Sequence, residues 1–404
     1  MRVRGGARVA AFGVLIVALA ASASAEGARP GALDDSFGGD GTVRTMFAAH
    51  DYAYSVAFDP RGRIVAGGGT YAGDLALARY RRNGTLDHSF SGDGRLSADL
   101  RAGGRAVVVD GRGRIVAAAA EGTRVVLVRY TPGGNLDGSF GTGGETTTNL
   151  ECVPASLALD SQGRIVVGGG CHGDFTVARF NADGDPDDSF GPGGIVTTDF
   201  GGSDGDFSVA IDSRDRIVAA GDTFGDLGAE FAIARYNRSG HLDSSFGVGG
   251  QTTTSFGNPS GNDSAESVAI DSLERIVAAG FTGQGSGDAD FALARYNPAG
   301  TLNILFGPGG TVTTSFGPNG LDFAHAVAID SRGRIVAAGG YGQFQLARYH
   351  PNGTIDRSFS RNGKVRTGSG SGYANAVAID SRDRIVAAGS GSGHFRLMRF
   401  VGYR

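Results

Sequence analysis

Among the 404 residues, Glu266, His325 and Arg105 are those best suited to chemistry. A carboxylate beside an imidazole can pass a proton near neutral pH, and a guanidinium facing them can hold an anion. They belong to one set of positions: Tyr54, Arg105, Ala155, Phe207, Glu266, His325 and Asn375 each stand two residues ahead of the Val or Leu of a recurring segment. The segments recur nearly unchanged, whereas these residues differ from copy to copy, as one asymmetric site on a repeated scaffold requires. Tyr54, Arg105, Phe207, Glu266, His325 and Asn375 are therefore the candidate ligand-binding residues, although a solvated loop position is the simpler account of any one of them.

Other reactive patterns are weak. No nucleophile elbow, HExxH, GxxxxGK or histidine cluster occurs, and the glycines of chance GxGxxG-like matches sit in turns. The loop Asn181–Asp188 has the alternating oxygens that calcium uses, but it lacks the later bidentate Glu, and sister loops such as Thr131–Gly134 lack the ligands. Asp74, Asp174, Glu230 and Asp290 each precede a strand; capping of that strand is preferred to a divalent cation. No catalytic residue, metal or cofactor is assigned, calcium being the one ion left open.

The elements positioning these residues follow from internal repetition. LDxSF or a variant starts at Leu33, Leu86, Leu136, Pro186, Leu242, Leu302 and Ile355, at intervals of 53, 50, 50, 56, 60 and 53 residues. RIVAAG or a variant starts at Arg63, Arg114, Arg164, Arg216, Arg275, Arg334 and Arg384, and ARY or ARF carries Arg79, Arg129, Arg179, Arg235, Arg295, Arg348 and Arg399. In the copy from Ala326, Ala326–Asp330 alternates small and large residues, Ser331–Gly333 turns, and Arg334–Ala338 returns as a hairpin. Phe344–Tyr349 is a third strand, and Thr311–Thr314 exemplifies a fourth. Bulky residues alternating with small ones suit sheets buried on both faces. The expected fold is all-β, a seven-bladed β-propeller with four-stranded antiparallel blades.

The last repeat stops at its third strand, Phe395–Phe400, and the missing piece stands near the start: Leu33–Phe37, then Thr42–Thr45. Residues 42–47 are expected to form the outer strand of the blade made by residues 374–400, closing the ring without a free sheet edge. Each aspartate ending an inner strand, such as Asp59 or Asp330, is expected to close its hairpin, and the ARY arginines to pair with the LDxSF aspartates. Copy six departs, with Asn303 in place of the aspartate.

The motifs LDxSFGxGG, VTT, AVAID, RIVAAG and ALARY resemble the bacterial delta-60 repeat family across the chain after its first 25 residues. The resemblance implies a secreted or surface protein and supplies no catalytic motif to transfer.

Arg2, Arg4 and Arg8, the apolar run Ala10–Ala20 and Ala23-Ser24-Ala25 read as a secretory signal peptide over residues 1–25, leaving the propeller to residues 26–404. Its removal takes the net charge from −4 to about −7, and no basic patch argues for a nucleic-acid partner. No stretch is long enough to span a bilayer. Cys152 and Cys171, the only cysteines, are expected to be disulfide-bonded on one blade. With no tryptophan, any sugar-stacking platform would use Tyr52, Tyr54 and Tyr373. Together these give a secreted, extracellular or periplasmic monomer, a binding or scaffold module for an extracellular protein, glycan or small ligand rather than an enzyme. The alternative is a hydrolase or lyase at the mouth of the central channel.

Overall fold

The computed structural model describes residues 29–402 apart from 101–102, 123, 226–227, 258–260, 284–286, 319 and 369–371, with the side chains of 149, 151 and 206 also left aside. The expected signal peptide, residues 1–25, lies outside the described residues.

The strands in chain order are β1 (Thr42–Thr45), β2 (Asp51–Phe58), β3 (Ile64–Thr70), β4 (Leu75–Tyr80) and β5 (Arg95–Ala98). Then come β6 (Gly104–Val109), β7 (Ile115–Glu121), β8 (Arg124–Tyr130) and β9 (Glu145–Glu151). They are followed by β10 (Ser156–Leu159), β11 (Ile165–Cys171), β12 (Asp174–Phe180) and β13 (Ile195–Thr198). Next are β14 (Ser203–Ile211), β15 (Ile217–Gly225), β16 (Gly228–Tyr236) and β17 (Gln251–Thr254). After these stand β18 (Asn262–Ile270), β19 (Ile276–Gly283), β20 (Ala289–Tyr296) and β21 (Thr311–Thr314). The last are β22 (Ala324–Ile329), β23 (Ile335–Gly339), β24 (Gln345–Tyr349), β25 (Lys364–Arg366), β26 (Gly372–Ile379), β27 (Ile385–Gly391) and β28 (His394–Phe400).

The fold is an all-β propeller, but the expectation of seven separate four-stranded blades is corrected. Five four-stranded blades stand alone, and β14 to β21 form a single eight-stranded sheet. The reason is local: β14, β15, β16 and β18 run to nine residues, so they overshoot the rim, and Ala229 pairs in parallel with Asn262. Gly228 and Gly261 permit that approach, because a Cβ on Gly228 would lie 2.5 Å from the Gly261 carbonyl oxygen.

β1 pairs antiparallel with β28, Thr42 opposite Met398 and Thr45 opposite Phe395, so the leading segment is the outer strand of the trailing blade. Inner strands contact one another in the cyclic order β2, β6, β10, β14, β18, β22, β26 and back to β2. The core lies between blades: Val65, Leu75 and Leu77 of one repeat pack on Val107, Ile115 and Ala117 of the next. Both sheet faces are buried there, which is why bulky residues alternate with alanine and glycine.

One unit locks each blade to its neighbour. Arg179 Nε lies 2.7 Å from Asp187 Oδ2, its guanidinium carbon sits 4.5 Å from the centre of the buried Phe190 ring, and its Nη1 donates to the Arg238 carbonyl of the following repeat. The same arrangement recurs at Arg79, Arg129, Arg235, Arg348 and Arg399. A buried guanidinium is tolerated only when its charge and donors are matched, and this one is. The inner-strand aspartates close hairpins: Asp59 Oδ1 accepts from the backbone of Arg61 and Arg63, and Oδ2 from Arg63 Nε. In the Asn181–Asp188 loop Asp183 accepts from the Asp185 backbone, and Asp187 pairs with Arg179 and Arg164.

Candidate functional site

In six inner strands the register against the second strand slips by one residue, between Ala53 and Ser55, Gly104 and Ala106, Asp206 and Ser208, Ala265 and Ser267, Ala324 and Ala326, and Ala374 and Ala376. The residues stranded at those β-bulges are Tyr54, Arg105, Phe207, Glu266, His325 and Asn375. A bulge leaves its extra residue outside the ladder and re-aims the side chain, here toward the axis. Ala155 stands one residue before β10.

The second strand makes room for the bulge. A Cβ on Gly68 would lie 1.8 Å from the Tyr52 carbonyl oxygen, one on Gly280 1.8 Å from that of Ser264, and one on Gly389 1.9 Å from that of Tyr373. At these three bulges the final glycine of RIVAAG leaves the room that a Cβ would fill, whereas opposite the Arg105 bulge the same position is Ala119.

All seven positions line one cavity of about 570 Å³ at the channel mouth. Arg105 places its guanidinium carbon 5.2 Å from the centre of the Tyr54 ring, which stacks at 6.2 Å on Tyr52. Among the described residues no carboxylate lies within 4.0 Å of Arg105, in contrast to the arginines of the blade locks. Three repeats away, His325 Nδ1 is 4.0 Å from Glu266 Oε2, and its ring lies 6.1 Å from Phe323 and 6.2 Å from Tyr373. Asn375 Nδ2 donates to the Ala53 carbonyl at 2.8 Å, so it also ties the two ends of the ring together.

Two groups missed from the sequence stand next to Glu266 without lining the cavity themselves. Ser264 Oγ is 3.4 Å from Glu266 Oε1. Burial pushes the Asp222 carboxyl up to about 6, helped by the charges of Glu266 and Asp204 and opposed by a hydrogen bond from Ser264. Asp222 is in the extension of the second strand β15 beyond its repeated motif, where repetition says nothing about side chains. Across the mouth, burial raises the Tyr54 hydroxyl against the nearby Arg105 charge, and burial raises Tyr373 with Tyr54 and Tyr52 adding to it.

Cys152 and Cys171 are bonded, with Cα atoms 5.0 Å apart, and Val153 and Pro154 beside them form part of the cavity wall. A disulfide fits a non-cytoplasmic protein. Among the described residues no helix is long and apolar enough to cross a membrane.

Six segments match a beta-propeller family of unknown function. They are residues 62–90, 113–140, 161–190, 215–246, 275–303 and 333–359, and the family is described as the domain of unknown function (DUF5122) beta-propeller. No curated protein matches the chain. Among solved structures, virginiamycin B lyase from Staphylococcus aureus is similar at a TM-score of 0.55 and 11% identity, covering 89% of this chain and 98% of that one. The WD40 beta propeller domain of Doa1 is similar at 0.53 and 13% identity, covering 88% and 94%. YCF48 bound to D1 peptide is similar at 0.52 and 11% identity, covering 93% and 98%. At such identities the likeness concerns the fold.

Proposed function

We propose that this chain is a binding module that holds one small ligand with charges of both signs, a short peptide with a free end, at the mouth of the channel. The observation that carries the reading is Arg105: a cation stacked on Tyr54 with no carboxylate within 4.0 Å among the described residues, lining the same cavity as an acidic side at Glu266. A ligand carboxylate would take the guanidinium, and a ligand ammonium the acidic side. The tyrosines, Phe207 and His325 offer faces for an apolar side chain. A volume of about 570 Å³ falls in the range of small-ligand sites. A similar propeller has been solved with a peptide.

We read the repeats as delta-60 type and the protein as secreted, extracellular or periplasmic, with residues 1–25 as its signal peptide and a monomeric residue 26–404 body. A protein surface or a glycan resting on the same face remains a wider form of this proposal, with nucleic acid outside it.

The test is an array of tri- to pentapeptides with free or amidated C-termini, probed with the purified chain. Binding confined to free C-termini supports the proposal; equal binding of amidated peptides, or none at all, overturns it.

A second reading, a lyase or hydrolase, rests on Asp222. A carboxyl near 6 influenced by Ser264 and Glu266, with Glu266 in turn 4.0 Å from His325, has the tuning of a general acid or base at neutral pH, and one similar propeller is a lyase. Array peptides recovered intact after incubation would reject it; cleavage lost in Asp222→Asn would support it.

A further inference from the structure

We infer that Asp174, Asp199 and Asp204 form a Ca²⁺ site at the junction between β12 and β14. This goes beyond the ligand reading. One carboxylate oxygen of each residue lies within 4.8 Å of the others, about the span of two Ca–O bonds of ~2.4 Å. Asp204 is 4% exposed, and its Oδ2 accepts from the Phe200 backbone at 2.6 Å. Its Oδ1 is buried without a hydrogen-bond partner. A buried carboxylate oxygen with no donor is costly unless a cation meets it.

The propeller contains its own controls. At the closing junction Asp51 occupies the equivalent place: its Oδ2 accepts from the Phe47 backbone at 2.6 Å and its Oδ1 from the Ala48 backbone at 3.0 Å. The residue equivalent to Asp174 there is His394, whose Nδ1 is 3.7 Å from Asp51 Oδ2. The strand geometry is the same, since the Asp51 amide donates to the Gly393 carbonyl as the Asp204 amide does to that of Gly173. Phe47 packs on Phe395 at 5.0 Å, and Phe200 on Phe175 at 4.8 Å. At the β20/β22 junction the equivalent Asp322 gives Oδ1 to Gln345 Nε2 at 2.7 Å. In these two junctions the buried aspartate is satisfied within the chain; at the β16/β18 junction Asp263 Oδ1 is also buried without a partner, but among the described residues no trio of ligands surrounds it. At the β12/β14 junction the neighbour is Asp174, and the Gly201 amide is turned to Asp199 Oδ1 at 2.5 Å instead. Three carboxylates and no donor at the open oxygen call for a hard divalent cation with oxygen preference. Ca²⁺ tolerates the irregular geometry and the added waters this rim position would need, whereas Mg²⁺ demands a near-ideal octahedron.

The experiment uses the full purified chain after EDTA treatment, with thermal unfolding and calorimetric titration against CaCl₂ and MgCl₂. Ca²⁺ at a hundred-fold excess over its Kd is expected to raise Tm by roughly 3–5 °C. Asp174→Asn should remove one bound Ca²⁺ and most of that rise. Asp174→His, which copies the closing junction, should also lose the response while keeping the fold. A Ca²⁺ response unchanged in both variants, or no bound Ca²⁺ in the unaltered chain, overturns the site. An equal response to Mg²⁺ at equal concentration overturns its assignment to Ca²⁺.

Discussion

Arg399 Nε lies 2.8 Å from Asp34 Oδ2, joining residues 365 positions apart. Arg399 is 1% exposed, donates through Nη2 to Ser36 Oγ at 2.8 Å and lies over the Phe37 ring at 4.6 Å. The link is one of the repeated blade locks, assembled here from the two ends of the chain. Asp34→Ala would leave a buried guanidinium without its counter-charge and is expected to cost about 3 kcal/mol. Urea unfolding measures it. A loss below about 1 kcal/mol would show that the ring does not rely on this closure.

Copy six supplies the reverse substitution. Asn303 replaces the aspartate, Leu305 the serine, and Arg295 Nε is buried without a partner. Burial lowers the Arg295 guanidinium to about 10, with Arg275 adding to the fall. Asn303→Asp should restore the lock seen in the other copies and stabilise the protein by about 1–2 kcal/mol. The check is the denaturation midpoint, and an unchanged or lower midpoint would refute it.

The pH dependence of stability contains two opposed contributions. At Asp34, Asp87, Asp187 and Asp356 burial alone would raise the carboxyl, but the serine at the second following position and the blade-lock arginine outweigh it and hold each below its ordinary value. Their stabilisation is complete above the unfolded carboxylate range, near pH 4, and is lost as pH falls through the lowered folded values. Asp222 has the opposite sign: the folded form holds its proton up to about 6, so stability declines as pH rises from about 4 to 6. Asp222→Asn should therefore raise stability at pH 7.5 by on the order of 1–2 kcal/mol, discounted for its partial exposure, and change little at pH 4. Melting curves at the two pH values decide it; a gain at pH 4 equal to that at pH 7.5 would contradict the assignment.

Reduction of the Cys152–Cys171 bond, which spans 19 residues, is expected to cost about 3 kcal/mol by releasing a loop of that size in the unfolded chain. Unfolding with and without a reductant measures this. A loss under about 0.5 kcal/mol would mean that the reduced segment keeps its structure.

Much of this architecture was legible because repetition amplifies weak signals. LDxSF, RIVAAG and ARY located the strands, the turn aspartates and the ring of variable positions. Repetition could not show that two repeats run together at Ala229 and Asn262, because that pairing depends on how far individual strands overshoot the rim. It was equally silent on Asp222 and Asp204, which stand in strand extensions beyond the repeated motifs, where lengths vary and neighbours come from other repeats. The bulges fell between these cases: a glycine stands opposite several of them, where a Cβ would meet the carbonyls of Tyr52, Ser264 and Tyr373, but Ala119 stands opposite the Arg105 bulge, so the residue type alone does not mark them.

The central claim is that one asymmetric site sits on a repeated scaffold. Calorimetric titration of the tightest free-ended array peptide into the unaltered chain, Arg105→Ala and Glu266→Gln measures this directly. A single site per chain, weakened at least about tenfold by each substitution, is the expected result. Several equivalent sites per chain, or an affinity untouched by both substitutions, would place binding on the repeats themselves and contradict it.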